Sequence, residues 1–173
     1  MDGACGGFLY QGRGGEVRLA DVQKNYGRIG VRDQGSTLGG GASGTDGPAG
    51  IFLMDCESFD ILGKWEIERG PQKLHYDFWW NLPRDYMVSS EWGLPPQFEG
   101  GIVPDDLLGN RYGHRLHFWE LSSRRHVQTI DLGANHQMAL ELRPAHDPAR
   151  EYGFLGVVVD TTNLEGSIWT RSE

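Results

Sequence analysis

The sequence predicts an all-β chain, and three observations carry that expectation. From residue 51 onward, short runs rich in Val, Ile, Phe, Trp and Tyr alternate with turn residues at strand-length spacing. Helical periodicity is almost absent. The third observation is a repeat, in which residues 51–55 and 61–67 lie on residues 116–120 and 126–132 at an offset of 65.

Taken in order, Ile51-Phe52-Leu53-Met54-Asp55 aligns with Leu116-His117-Phe118-Trp119-Glu120, and each is followed by its second run. Behind the first pair comes Tyr76-Asp77-Phe78-Trp79 and then Tyr86-Met87-Val88-Ser89-Ser90. Behind the second comes Leu140-Glu141-Leu142-Arg143 and then residues 153–158. Each unit therefore holds four strand-like runs. A four-stranded unit that repeats and cannot bury both faces alone is the signature of a β-propeller, so the expected architecture is a partial β-propeller of two to three four-stranded blades. The usual period is about 40–50 residues. An insertion from Gly93 to Gly113, with Pro95-Pro96, Gly100-Gly101 and Pro104, accounts for the excess and separates the second and third strands of the middle unit. A β-sandwich also uses many short strands but does not predict an aligned repeat. Ser167-Ile168-Trp169 fits a third strand of the last unit.

The boundary between two kinds of sequence is drawn at residue 45. Fifteen of the 26 glycines lie in residues 1–50, where five acidic residues balance five basic ones and all six Trp are absent. Leu9-Tyr10, residues 17–19 and residues 28–31 hint at strands there. Glycine at the density of Gly39-Gly40-Gly41, Gly44, Gly47 and Gly50 weakens any regular element and reads as loop. No Lys-Ser/Thr pair follows those glycines, so they do not make a phosphate loop. Residues 1–45 are expected to form a poorly matched N-terminal segment, with Met1 to Gly27 removable by proteolysis, and residues 46–173 to form the blades.

Across 173 residues, 16 Lys plus Arg face 24 Asp plus Glu, for a formal charge of −8 and a pI near 5.2. That balance argues against a nucleic-acid partner, which calls for a basic surface. No stretch reaches the roughly 20 apolar residues of a membrane span, so no membrane partner is expected. Met1-Asp2-Gly3 opens neither a basic nor an apolar leader region, which points to the cytoplasm. Cys5 and Cys56 are too few for a disulfide framework or a four-thiolate zinc site.

Several longer runs carry a resemblance. Tyr76-Asp77-Phe78-Trp79-Trp80, Met87-Val88-Ser89-Ser90-Glu91-Trp92-Gly93, Tyr112-Gly113-His114-Arg115-Leu116-His117-Phe118-Trp119 and Leu140-Glu141-Leu142-Arg143-Pro144-Ala145-His146-Asp147-Pro148 resemble the selenium-binding protein family in residues, order and spacing, over about residues 46–169. The resemblance implies a seven-bladed propeller and methanethiol oxidase activity: a small thiol, methanethiol, is converted with oxygen and water to formaldehyde, hydrogen sulfide and hydrogen peroxide. It also implies copper, and selenium in some members. The chain is then expected to be an internal fragment, inactive alone, with self-association through its open blade faces. The family's His-His motif and its selenium- or thiol-linked cysteine find no counterpart here, and Cys56, at an apparent turn, does not inherit that role. The alternative is a non-catalytic binding or scaffold propeller, since fold does not fix activity.

Innermost strands line a propeller's channel, so Asp77 and Glu141, at the starts of successive inner strands, are the leading carboxylates. With His146 they are the candidate metal residues, as ligands of a hard cation or as partners that orient imidazoles around copper. The competing reading gives Asp77 and Glu141 to backbone amides of neighbouring blades, and His146 to a structural hydrogen bond. Trp79 and Trp80 are candidates for a pocket around a methyl thiol, although packing between blades calls for the same residues. His114 and His117, three apart in a strand, fall on opposite faces. His126 beside Arg124 and Arg125 reads as a solvated turn, and His75 and His136 as channel rim or surface. No serine nucleophile pattern is present.

Overall fold

Alternation decides which way each strand of the Trp-rich region faces, and the consequences are visible in the computed structural model, which describes residues 9–10, 23–24, 32–38, 49–55, 58–81, 84–144 and 153–170. Three sheets follow one another along the chain. The first holds β1 (Leu9–Tyr10), β2 (Gln23–Lys24), β3 (Arg32–Thr37), β4 (Gly50–Asp55) and β5 (Ile61–Lys64), with only β1 and β3 parallel. The second is an antiparallel meander of β6 (Phe78–Asn81), β7 (Tyr86–Ser90), β8 (Arg115–Glu120) and β9 (Arg125–Asp131). In the third, β10 (His136–Gln137) and β11 (Glu141–Pro144) pair with β12 (Gly153–Asp160), which also pairs with β13 (Glu165–Thr170).

The all-β expectation holds. Helix is confined to short pieces, of which α1 (Pro104–Leu108) and a 3-10 turn at Pro95–Gln97 lie in the insertion, which separates β7 from β8 as its Pro and Gly content predicts. Strand β3 pairs along its whole length with β4, so sheet structure extends into the glycine-rich segment. The strand hint at Leu9-Tyr10 coincides with β1. The hints at 17–19 and 28–31, and the glycines from Gly39 to Gly47, lie outside the described residues, as do Cys5 and Cys56.

The 65-residue repeat is written into the backbone as well as the side chains. The β4–β5 ladder slips by one residue between Leu53 and Met54, and the β8–β9 ladder slips between Phe118 and Trp119. The turns closing those hairpins both place a non-glycine residue in the left-handed region, Phe59 at φ 61° and Arg124 at φ 56°. Each of these pairs is offset by 65. Leu164, at φ 58° in the turn between β12 and β13, does the same without an insertion before it.

Two apolar clusters hold the sheets face to face. In β8 the side chains of Leu116 and Phe118 join Ala139, Leu142, Trp79 and Trp169, on the side of the third sheet. Trp119 joins Met87 and Phe78 with Ile51, Leu53 and Trp65, on the side of the first. The second sheet is thus covered on both faces. Trp65 meets Trp119 edge-on, with ring centroids 5.9 Å apart and planes at 77°, a geometry that adds to the gain from burial.

Candidate functional site

Asp77 stands immediately before β6, and its two oxygens face two strands. Oδ1 accepts from the backbone N–H of Phe78 at 2.9 Å, and Oδ2 accepts from that of Leu142, in β11 of the third sheet, at 2.8 Å. Arg143 Nη1 lies 3.5 Å from the same Oδ2, and Nη2 lies 2.5 Å from Glu141 Oε2. One guanidinium therefore sits between the two carboxylates. Burial, the largest effect, pushes the Asp77 carboxyl up to about 6; the amides of Leu142 and Phe78 and the Arg143 charge pull the other way. Burial, with the charges of Asp77 and Glu141, also pushes the Tyr76 phenol up.

Asp77 and Glu141 are brought together on either side of Arg143, and Asp77 clasps β11 of the neighbouring sheet. As they stand these carboxylates do not fit copper: their oxygens are hard donors, a guanidinium already occupies the space between them, and no imidazole or thiolate among the described residues joins them. No group of three His, Cys, Asp or Glu side chains among the described residues is placed to hold a metal ion. His146 lies outside the described residues. Trp79 packs on the Leu142 cluster and Trp80 on the Trp119 cluster, while their rings lie 6.0 Å apart with planes at 11°.

The raised value at Asp77 gives a stability prediction with a definite sign. The native state holds this proton more tightly than the unfolded chain, so the contribution is full below pH 3.8 and is lost as pH rises through about 6. Asp77→Asn carries no such dependence. Relative to the native chain, its unfolding free energy should improve by about 3 kcal/mol between pH 3.5 and pH 7. Urea titrations at a series of pH values measure this, and a constant difference would mean that the carboxyl titrates as it does in water.

A second polar cluster lies on the other face of the second sheet. His117 is fully buried, with Nε2 3.0 Å from Glu91 Oε1 and Nδ1 3.1 Å from His126 Nε2. Thr129 Oγ1 lies 3.3 Å from His117 Nδ1 and 3.1 Å from His126 Nε2. His126 is therefore no solvated turn residue: it belongs to β9 and lies edge-on to Trp119 at 5.3 Å. Burial first, and then His117, holds its imidazole below the ordinary value. His75, expected at a rim or surface, is fully buried too. Its Nδ1 donates to the Tyr76 carbonyl at 3.1 Å, while Nε2 has no hydrogen-bond partner among the described residues, and burial pushes the ring down to about 3.

Sequence reasoning separated His114 from His117 correctly but did not find what His117 meets. Strict alternation in Leu116-His117-Phe118-Trp119 was the available signal, since it sends His117 inward with Trp119. The positions of Glu91 and His126 depend on pairing and on the bulge, which have no local sequence code. His114 lies at 3.5 Å from Asp131 Oδ1, and His136 packs on Trp169 with ring centroids 5.0 Å apart.

Stacked sheets joined by a carboxylate clasp, with a buried imidazole cluster on one face of the second, define an all-β protein of repeated sheet units. The family described as 56kDa selenium binding protein matches residues 33–173, and the chain belongs to that family. A methanethiol oxidase from Danio rerio is 38% identical over 117 residues, covering 68% of this chain and 26% of its own length. One from Homo sapiens is 33% identical over 130 residues, covering 72% and 27%. The X-ray structure of a hypothetical selenium-binding protein from Sulfolobus tokodaii superposes with a TM-score of 0.75 at 44% identity, over 91% of this chain and 33% of that one. The chain spans about a quarter of the length of the curated relatives it matches. No helix among the described residues is long and apolar enough to cross a membrane.

Proposed function

We propose that residues 33–170 are consecutive blades of a β-propeller of the methanethiol oxidase type, acting in the conversion of methanethiol, oxygen and water to formaldehyde, hydrogen sulfide and hydrogen peroxide. The observation that carries this reading is the recurrence of one hairpin, with the same slip and the same left-handed turn residue, in sheets that stack face to face. The relatives' names supply the oxidation of methanethiol, and the products are those the family resemblance implies. In this reading Tyr76, Asp77, Glu141 and Arg143 line one wall of the channel, Asp77 holding neighbouring blades in register. Copper and selenium belong to the reading only through residues other than the carboxylates described. Outer faces such as that of β13, where Ile168 is 76% exposed, support self-association. A non-catalytic binding propeller is the second reading, favoured by the engagement of both leading carboxylates with Arg143.

The test measures oxygen uptake with methanethiol for two copper-supplied proteins. One is the 173-residue chain, and the other is the Danio rerio relative with its matching stretch replaced by the corresponding residues of this chain. Turnover is expected from the chimaera and none from the chain, because a propeller channel needs the blades on either side to close it. A chimaera that folds by circular dichroism yet consumes no oxygen would count for the binding reading. Comparable turnover by the chain alone would remove the requirement for further blades.

A further inference from the structure

The slip in the β8–β9 ladder brings together side chains that a regular strand would part. His126 and Thr129 are three apart, and successive side chains of a strand face opposite ways. Between the pairs Phe118 with Gln128 and Trp119 with His126, Val127 is the extra residue. The bulge inverts the alternation, so both His126 and Thr129 reach the face on which His117 lies. His117 Nδ1, His126 Nε2 and Thr129 Oγ1 then stand at the corners of a nearly equilateral triangle with sides of 3.1, 3.1 and 3.3 Å.

Two ligands about 2.0–2.1 Å from a tetrahedral zinc ion lie roughly 3.3 Å from each other, so the triangle has the size of one face of that tetrahedron. The rings are also turned the right way. Glu91 Oε1, as a carboxylate oxygen, accepts from His117 Nε2–H at 3.0 Å, which leaves Nδ1 as the lone pair aimed into the triangle. A Cβ on Gly70 would come within 2.5 Å of His126 Cγ and Nδ1, so that glycine packs on the far edge of the ring and Nε2 is the nitrogen turned inward. The repeat does not require any of this. In the first sheet the equivalent pairs, with the same slip, are Phe52 with Lys64 and Met54 with Ile61, and the hairpin forms there without imidazole or hydroxyl.

We propose that His117, His126 and Thr129 form a binding site for a divalent metal ion of the zinc type, with Glu91 orienting His117 and water completing the coordination. Two imidazoles and a neutral hydroxyl select such an ion over magnesium or calcium, which take sets of hard oxygen ligands. The site is separate from the Asp77 clasp and does not depend on the oxidase reading.

The experiment titrates the 173-residue chain with zinc against a chromophoric chelator and follows the histidine ring nitrogens by nitrogen-15 NMR. One ion per chain is expected, with the His117 Nδ1 and His126 Nε2 resonances displaced and excess magnesium without effect. His126→Gln should weaken binding by at least about 10–100-fold, and Glu91→Gln, which disturbs only the orienting contact, by about 10-fold. His126 and Thr129 are only partly buried, so His126→Gln and Thr129→Val leave the core intact, which circular dichroism checks. Unchanged affinity in His126→Gln, displacement confined to other histidines, or no stoichiometric uptake would each overturn the site.

Discussion

Replacing Trp119 by alanine is expected to cost about 3–5 kcal/mol of stability, a large part of the roughly 5–15 kcal/mol that keeps a typical domain folded. The ring is completely buried in the middle strands of the second sheet, where it faces Trp65 of the chain segment that follows β5 and lies edge-on to His126. Its Nε1–H donates to Ser89 Oγ at 3.0 Å, a hydroxyl that also receives Gln72 Nε2 at 3.4 Å. Alanine would empty the volume and remove one partner of a buried hydroxyl at once. Trp119→Phe separates the two effects: it keeps most of the apolar contact and should cost about 1–3 kcal/mol, mainly for the lost hydrogen bond. Urea unfolding followed by far-ultraviolet circular dichroism measures both. An unchanged midpoint in Trp119→Ala would mean that this ring does not hold the first and second sheets together.

Acid should destabilise the chain through His75. Its imidazole is fully buried, so the native state keeps it neutral down to about pH 3, while the unfolded chain protonates it below 6.5. The unfolded state then binds more protons throughout that window. His75 therefore contributes stability that is full above pH 6.5 and is lost as pH falls through about 3, on the order of 5 kcal/mol in all. The slope is opposite to that of Asp77. His75→Phe is the informative variant, because the Tyr76 carbonyl that His75 bonds also accepts from Ser36 Oγ at 3.0 Å and keeps a partner. Phenylalanine also removes the unpartnered Nε2 beside Phe78. The expected result is a variant whose unfolding midpoint changes much less than the native one between pH 7 and pH 4. Parallel losses in the two proteins would show that another group drives the acid transition.

The repeat was legible in the sequence because it is carried by alternation. Leu116 and Phe118 on one side of β8 and His117 and Trp119 on the other follow from period two alone, and Leu116 and Phe118 pack towards the third sheet. The insertion was legible for a different reason, since Pro95-Pro96 and Gly100-Gly101 cannot continue a strand. At the candidate site the run that holds Asp77 and the run that holds Glu141 fall on the neighbouring strands β6 and β11. Arg143 between them was adjacent in sequence to Glu141, yet its reach to Asp77 depends on how two sheets dock.

What the sequence determined by itself is therefore periodic or local: strand faces, the repeat and the insertion. Tertiary structure alone decided the rest. Burial of His75, beside Phe78, is announced by no local pattern. The meeting of Glu91, His117, His126 and Thr129 needs a strand register, an added residue at Val127 and the close approach of Gly70. The physical reason is that alternation is set residue by residue by backbone stereochemistry, whereas register and docking are set by the sum of many distant contacts. A single inserted residue reverses every inward and outward assignment beyond it, and nothing in the composition of His126-Val127-Gln128-Thr129 announces which residue will be the one left unpaired.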